Sequence, residues 1–223
     1  MKVLSFCIFG SNEKYCRGLF ENIEIIKNKL SSFHIFIYVG NDVPEEWIKK
    51  YSEYDKVKLI YTNRIGNNNR INRFFAIDDD NVDMMIVRDA DSRIHDRDIW
   101  CINHFMYSEF GAHTIRDHPY HSIQMMGGLW GLKKGFLNKP IKELYRLYNP
   151  ENIIASIQHD QYFLRDVIYN LIEKYLVVYI SLHELIYREN STTHLFIPFP
   201  IKDNDFCGQV IEYNNFIPYK VYI

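Results

Sequence analysis

Val82-Asp83-Met84-Met85-Ile86-Val87-Arg88-Asp89-Ala90-Asp91-Ser92-Arg93 is an apolar run that ends abruptly in charge. A strand over Val82–Val87 with so little polarity reads as one covered on both faces, the mark of a parallel sheet. Working back from it, Val3–Phe9, His34–Val39 and Val57–Tyr61 read as three earlier strands. Between them, Tyr15–Leu30 carries Leu19, Phe20, Ile23, Ile26 and Leu30 on one helical face, and Pro44-Glu45-Glu46 opens a second helix reaching about Tyr54. Asn63–Asn69 is polar and turn-prone, and Arg70–Ile77 is expected to be helical. A β-α-β-α-β order implies right-handed crossovers and a mostly parallel central sheet flanked by helices. The expected fold class is therefore α/β, a Rossmann-like nucleotide-binding architecture. In such sheets ligands bind beyond the carboxyl ends of the strands, which puts the weight on Arg88–Arg93.

Downstream of that segment, Asp96 is expected to cap a helix over Arg97–Tyr107, followed by a strand at Gly111–Ile115 and a polar loop at Arg116–Gln124. Gly127–Gly131 resumes the sheet, helices are expected at Leu137–Tyr148 and Asp160–Glu173, and Leu176–Ile180 is a further strand. The tail predicts short strands at Gly208–Glu212 and Lys220–Tyr222. No internal repeat or linker divides the chain, so one domain over 1–223 is expected.

The 223 residues include 26 Lys+Arg against 28 Asp+Glu, a formal net charge of −2. Nucleic-acid and anionic-membrane binders need a basic surplus that this chain lacks. At 16% aromatic, most rings must pack a core rather than line a sugar-binding surface. Cys7, Cys16, Cys101 and Cys207 form no CxxC pair and read as reduced, buried thiols. Met1-Lys2 with the short apolar run behind it reads as a first strand rather than a signal peptide, and no stretch approaches the ~20 apolar residues of a membrane span. A soluble protein of a reducing compartment, the cytoplasm, is the expectation.

Asp89-Ala90-Asp91 sets two carboxylates on alternate residues at a strand exit, so both can face one ligand. Hard cations such as Mg²⁺ and Mn²⁺ take oxygen donors of this kind and complete their shells with water and phosphate. Spacing alone does not decide: Asp78-Asp79-Asp80, Asp96-Arg97-Asp98 and Asp203-Asn204-Asp205 share it, yet none follows a buried-strand run. Arg70, Arg73, Arg88 and Arg93 surround the pair, either as ordinary ion-pair partners or as charges for a diphosphate; Arg73 is the first candidate for the second role. In Arg116-Asp117-His118-Pro119-Tyr120-His121, His118 and His121 are candidates to touch a substrate; a zinc site would want further ligands, and none lies nearby. Gly127-Gly128 marks either close backbone approach to a ligand or a bulge. Asp160 is either a helix-dipole partner or a carboxylate for a substrate hydroxyl, and His183 a possible third metal ligand.

An acidic D-x-D after a buried strand resembles the metal site of GT-A glycosyltransferases. Arg73-Phe74-Phe75-Ala76-Ile77-Asp78, Val87–Arg93, Ile115–His121, Gly127–Gly131, Asp160-Gln161-Tyr162-Phe163-Leu164 and Phe206-Cys207-Gly208-Gln209 occur in an order similar to a group of glycosyltransferase-like proteins of bacteria, algae and large DNA viruses. That resemblance implies a nucleotide-diphosphate sugar donor, UDP-linked by default, and a Mn²⁺ or Mg²⁺ ion. It implies Asp91 as a metal ligand, Asp89 on the ribose or the metal, and His183 completing the shell, although His183-Glu184 stands where relatives carry His-Asp. It further implies Gly10 and Tyr15 near the base, Gly127 and Gly128 beside the donor sugar, and a glycan or other hydroxyl as acceptor. Asp160 and Asp117 are the candidate bases. Two alternatives stay open: a sugar-nucleotide nucleotidyltransferase, for which Phe9-Gly10-Ser11-Asn12-Glu13 is a poor phosphate loop, and a catalytically silent carbohydrate-binding relative.

Overall fold

A computed structural model describes residues 1–149, 151, 158–182, 189, 191–200 and 205–213. Strands β1 (Lys2–Ile8), β2 (His34–Val39), β3 (Val57–Tyr61) and β4 (Met84–Arg88) alternate with helices α1 (Glu13–Lys29) and α2 (Glu45–Ser52) as the apolar pattern predicts. Then come α3 (Asp96–Tyr107), β5 (Ala112–Arg116), β6 (Leu129–Lys133), α4 (Ile141–Tyr148), α5 (His159–Phe163), β7 (Leu176–Ile180) and β8 (Thr193–Phe196). Behind α5, a π turn over Leu164–Ile168 leads into α6 (Tyr169–Ile172).

Among the described residues the sheet has eight strands in the order β3-β2-β1-β4-β6-β5-β7-β8. All pairings are parallel except those of β6, which runs against both β4 and β5. The chain leaves β1 toward β2 and β3 on one side and returns to β4 on the other. That reversal parts the connections at the carboxyl ends of β1 and β4 and opens a crevice there. One face of the sheet buries Phe74, Trp130 and Phe163; the other buries Leu4, Leu19, Ile23 and Phe105.

Between β3 and β4 the segment Gly66–Asp78 winds as a 3₁₀ helix, longer than the Arg70–Ile77 helix expected and taking in part of the supposed turn. Its asparagines explain the discrepancy. Buried Asn69 donates through Nδ2 to the carbonyls of Ile8 (2.9 Å) and Tyr38 (2.8 Å), at the ends of β1 and β2. Ser5 Oγ in turn donates to the Arg73 carbonyl at 2.6 Å. These bonds replace the regular ladder that a 3₁₀ run of this length lacks, and they fix where Arg70 and Arg73 emerge.

Two further expectations need adjustment. His95, not Asp96, is the N-cap of α3; Asp96 is exposed and pairs with Lys29 at 2.7 Å. The tail strand at Gly208–Glu212 reduces to one antiparallel bridge between Val210 and Ser92, and Lys220–Tyr222 lies outside the described residues. β6 is antiparallel, and β8 was not anticipated. All four cysteines are free and buried. Among the described residues no helix is long and apolar enough to cross a membrane.

Candidate active site

The Asp89–Asp91 turn is held from below by α1. A Cβ on Gly18 would come within 2.2 Å of the Ala90 carbonyl oxygen, so only glycine lets the helix lie this close. One turn later, buried Asn22 clamps the exit of the turn: its Nδ2 donates to the Ser92 carbonyl at 2.8 Å, and its Oδ1 accepts from Ile94 N–H at 3.0 Å. The two carboxylates are thereby carried on a rigid support rather than on a loose loop.

Above the turn, Arg73 is 6% exposed and bridges two acids. One guanidinium nitrogen pairs with Asp89 Oδ1 and the other with Asp160 Oδ2 at 3.1 Å. Burial opposes its charge, but Asp89 and Asp160 overcome this and hold the guanidinium pKa above its ordinary value. Gly128 lies against the far side of Asp89, where a Cβ would stand 2.0 Å from Oδ2. Gln161 joins the adjoining loop to α5: its Oε1 accepts from Gly127 N–H at 2.8 Å and its Nε2 donates to the Met125 carbonyl. Asp89, Arg73, Asp160, Gly127 and Gly128 thus meet at one point.

That point is the middle of a cleft of about 600 Å³. Phe9 and Tyr15 line its β1 side, with ring centroids 6.5 Å apart, and Arg70 and Arg73 its roof; Asp89 and Asp91 lie at the centre. Tyr120 and Tyr162 stand on the remaining wall. Burial first, then the neighbouring Asp89 charge, push the Asp91 carboxyl up to about 6, with Lys14 as the main opposing charge. A carboxylate held this far from water beside a second one is a site that a hard cation would relieve, and the oxygen donors suit such a cation.

Several sequence candidates fall elsewhere. Asp117 has no exposed surface and does not line the cleft: Arg97 and Ser181 occupy its carboxylate, and Cys207 N–H donates to it at 3.0 Å. It is therefore withdrawn as a candidate base. His121 is 3% exposed, accepts from Asp117 N–H through Nδ1 at 2.9 Å, and is pulled down to about 4 chiefly by burial. His118 stacks on Phe206 at 3.9 Å. Neither histidine lines the cleft; Tyr120, Ser122 and Ile123 of the same loop do. Gly10 also stays outside, its positive φ of 69° turning the chain so that Phe9 and Tyr15 reach in. Arg88 points away and is buried against Asp98 at 2.7 Å, while Arg93 pairs with Glu21 at 2.7 Å. His183 lies outside the described residues. Among those described, no group of three or more His, Cys, Asp or Glu is arranged to hold a metal.

Sequence reasoning missed Gly18, Asn22 and the structural part played by Gln161. A glycine and an asparagine inside a predicted helix, four residues apart on its inward face, were the available signal for the first two.

No protein-family model matches the chain, and no curated protein does. Solved structures do. A glycosyltransferase involved in glycosylating the major capsid of the virus PBCV-1 superposes with a TM-score of 0.50 at 14% identity, over 79% of each chain. S. aureus TarS (residues 1–349) gives 0.54 at 9% identity, covering 90% of this chain and 59% of that one. The glycosyltransferase GlyE of Streptococcus pneumoniae TIGR4 gives 0.50 at 16% identity, over 82% of this chain and 45% of its own. At such identities what is shared is the fold. The chain has the GT-A glycosyltransferase fold, and it spans less than two thirds of the TarS and GlyE chains.

Proposed function

We propose that this chain is a glycosyltransferase that moves a sugar from a nucleotide-diphosphate donor, UDP-linked by default, to a hydroxyl of a glycan. One observation carries the reading: at the reversal point of a GT-A sheet, Asp89 and Asp91 share a cleft with Arg70 and Arg73. A charged pair of acids beside charged arginines is what a diphosphate with a counter-cation requires. The part up to about residue 93 takes the nucleotide, with Tyr15 and Phe9 against the base; the part from about 94 takes the acceptor.

Asp91 and Asp89, with His183, would hold Mn²⁺ or Mg²⁺, and such an ion offsets charge growing on a departing diphosphate. Arg73 adds a fixed guanidinium whose charge is secured by the two acids it bridges, so no reorganisation is needed as the sugar–phosphate bond lengthens. Gly127 and Gly128 leave backbone room for the donor sugar. Asp160, oriented by Arg73, faces the reacting centre and accepts the proton of the acceptor hydroxyl.

The test is thermal unfolding with UDP-, GDP- and dTDP-sugars, each with and without Mn²⁺. One donor should stabilise the protein by about 2.7 kcal/mol at a hundredfold its dissociation constant, and only with the metal. Asp91→Asn should remove that stabilisation while leaving the unliganded protein folded. An undiminished response in Asp91→Asn, or no response to any donor, overturns the assignment.

A further inference from the structure

The cleft crosses several strands of the sheet. Phe9 and Tyr15 follow β1, whereas Tyr120, Ser122 and Ile123 follow β5, three strands away in the sheet. At about 4.8 Å per strand, the two ends lie roughly 14 Å apart across the acidic centre. Two exposed aromatic rings, Tyr120 and Tyr162, line the same cleft. Tyr120 is 51% and Tyr162 37% exposed, and they enter from different elements, the loop after β5 and helix α5.

Both rings are backed on one side. Tyr120 leans on His118 with centroids 4.5 Å apart, and His118 is stacked on Phe206 at 3.9 Å. Tyr162 has the Arg165 guanidinium 5.0 Å from its centroid, and Arg165 is tied to Asp166 at 2.6 Å. Neither phenol hydroxyl has a hydrogen-bond partner among the described residues, so each is available to a ligand. Exposed rings held from behind offer flat apolar area at little entropic cost, with a polar tip beside it. That surface matches the C–H face of a pyranose, whose hydroxyls would meet the phenols and Ser122. A lipid would want a continuous apolar wall, and this end of the cleft alternates rings with polar groups.

We infer that Tyr120 and Tyr162 form a stacking subsite for a carbohydrate ring at the end of the cleft away from the nucleotide, so that the acceptor is itself a sugar. His118, which the sequence offered as a substrate contact, serves as the prop of Tyr120. The inference rests on the transferase reading for its role, though not for the existence of the subsite.

Saturation-transfer NMR on the full chain, with methyl β-D-glucopyranoside, methyl β-D-galactopyranoside and chitobiose as probes, tests it. At least one probe should receive saturation. Tyr120→Ala and Tyr162→Ala should each weaken that signal about tenfold, Tyr120→Phe and Tyr162→Phe much less, and all four should keep the donor-dependent thermal stabilisation of the parent. No signal from any probe overturns the subsite, as do undiminished signals in both alanine variants. A loss of sugar and donor responses together in the alanine variants also overturns it, since the rings would then be supporting the cleft as a whole. A sugar response in a protein that ignores every nucleotide sugar would keep the subsite and sink the transferase assignment.

Discussion

Asp89 is held in place by what is missing from Gly128. With its Oδ1 taken by Arg73 and its Oδ2 packed where a Cβ would stand 2.0 Å away, the carboxylate is seated facing the cleft. An added methyl must push the side chain aside, because the β4–β6 ladder that continues from Gly128 cannot give way. Overpacking of this kind costs about 1–3 kcal/mol, and here the lower end applies, since Asp89 can swing into solvent. Gly128→Ala should therefore cost about 1 kcal/mol of stability in urea but weaken Mn²⁺-dependent donor binding tenfold or more by calorimetry. A variant that binds like its parent would show that the position of Asp89 does not matter. Sequence position put Arg73 first among the four arginines as a charge for a diphosphate; its pairing with Asp89 and Asp160 is what the structure adds. Arg88 and Asp89 are adjacent, so they project to opposite faces of the strand. Arg88 goes to α3 and Asp98, and the arginine that serves the acid comes from 16 residues upstream.

At the scale of elements, the second half of the sheet is joined by acids rather than by turns. Asp117, one residue beyond β5, reaches Arg97 at the start of α3, Ser181 just past β7, and the backbone of Cys207. Removing its charge strands a buried guanidinium, at a cost of about 3–5 kcal/mol. Asp117→Asn should lower stability by that order, while the transfer rate of the folded fraction at 10 °C stays within about threefold of the parent. Loss of a catalytic base would instead cut the rate at least a hundredfold with little change in stability. This joint explains what could be read in advance. β1, β2 and β7 were legible to within a residue, since strands buried on both faces are nearly unbroken apolar runs, and the edge strand β3 was legible from Val57, Leu59 and Ile60 although none of its residues is fully buried. β8 was not, because four half-exposed residues leave no such run; nor was the direction of β6, which depends on its neighbours. Asp117 looked catalytic because a polar cluster in a loop reads the same whether it faces a ligand or the protein interior.

For the molecule as a whole, the arrangement sets a weakness toward acid. His113 is fully buried between Phe105 and Tyr179, neither ring nitrogen has a hydrogen-bond partner among the described residues, and burial pushes its pKa well below the ordinary value. His121 is held down to about 4 and accepts a backbone hydrogen bond that its protonated form would lose. Both are neutral in the folded chain, whereas the unfolded chain protonates them near 6.5. Between those values the unfolded state binds more protons, so stability is full above pH 6.5 and falls as the pH drops toward 4. Going from pH 7 to pH 5, each histidine should remove about 2 kcal/mol. Asp91 works in the opposite sense, because its raised carboxyl takes up a proton in the folded chain first and adds stability over the same range. The measurement is therefore cleanest in the Asp91→Asn background, as urea midpoints at pH 7 and pH 5. There stability should fall from pH 7 to pH 5, and His113→Leu, which replaces the ring with an apolar side chain of similar volume, should reduce that loss by about 2 kcal/mol. A pH response unaltered by His113→Leu would mean that the ring between Phe105 and Tyr179 finds a proton partner or water in solution, and that the acid sensitivity is seated elsewhere.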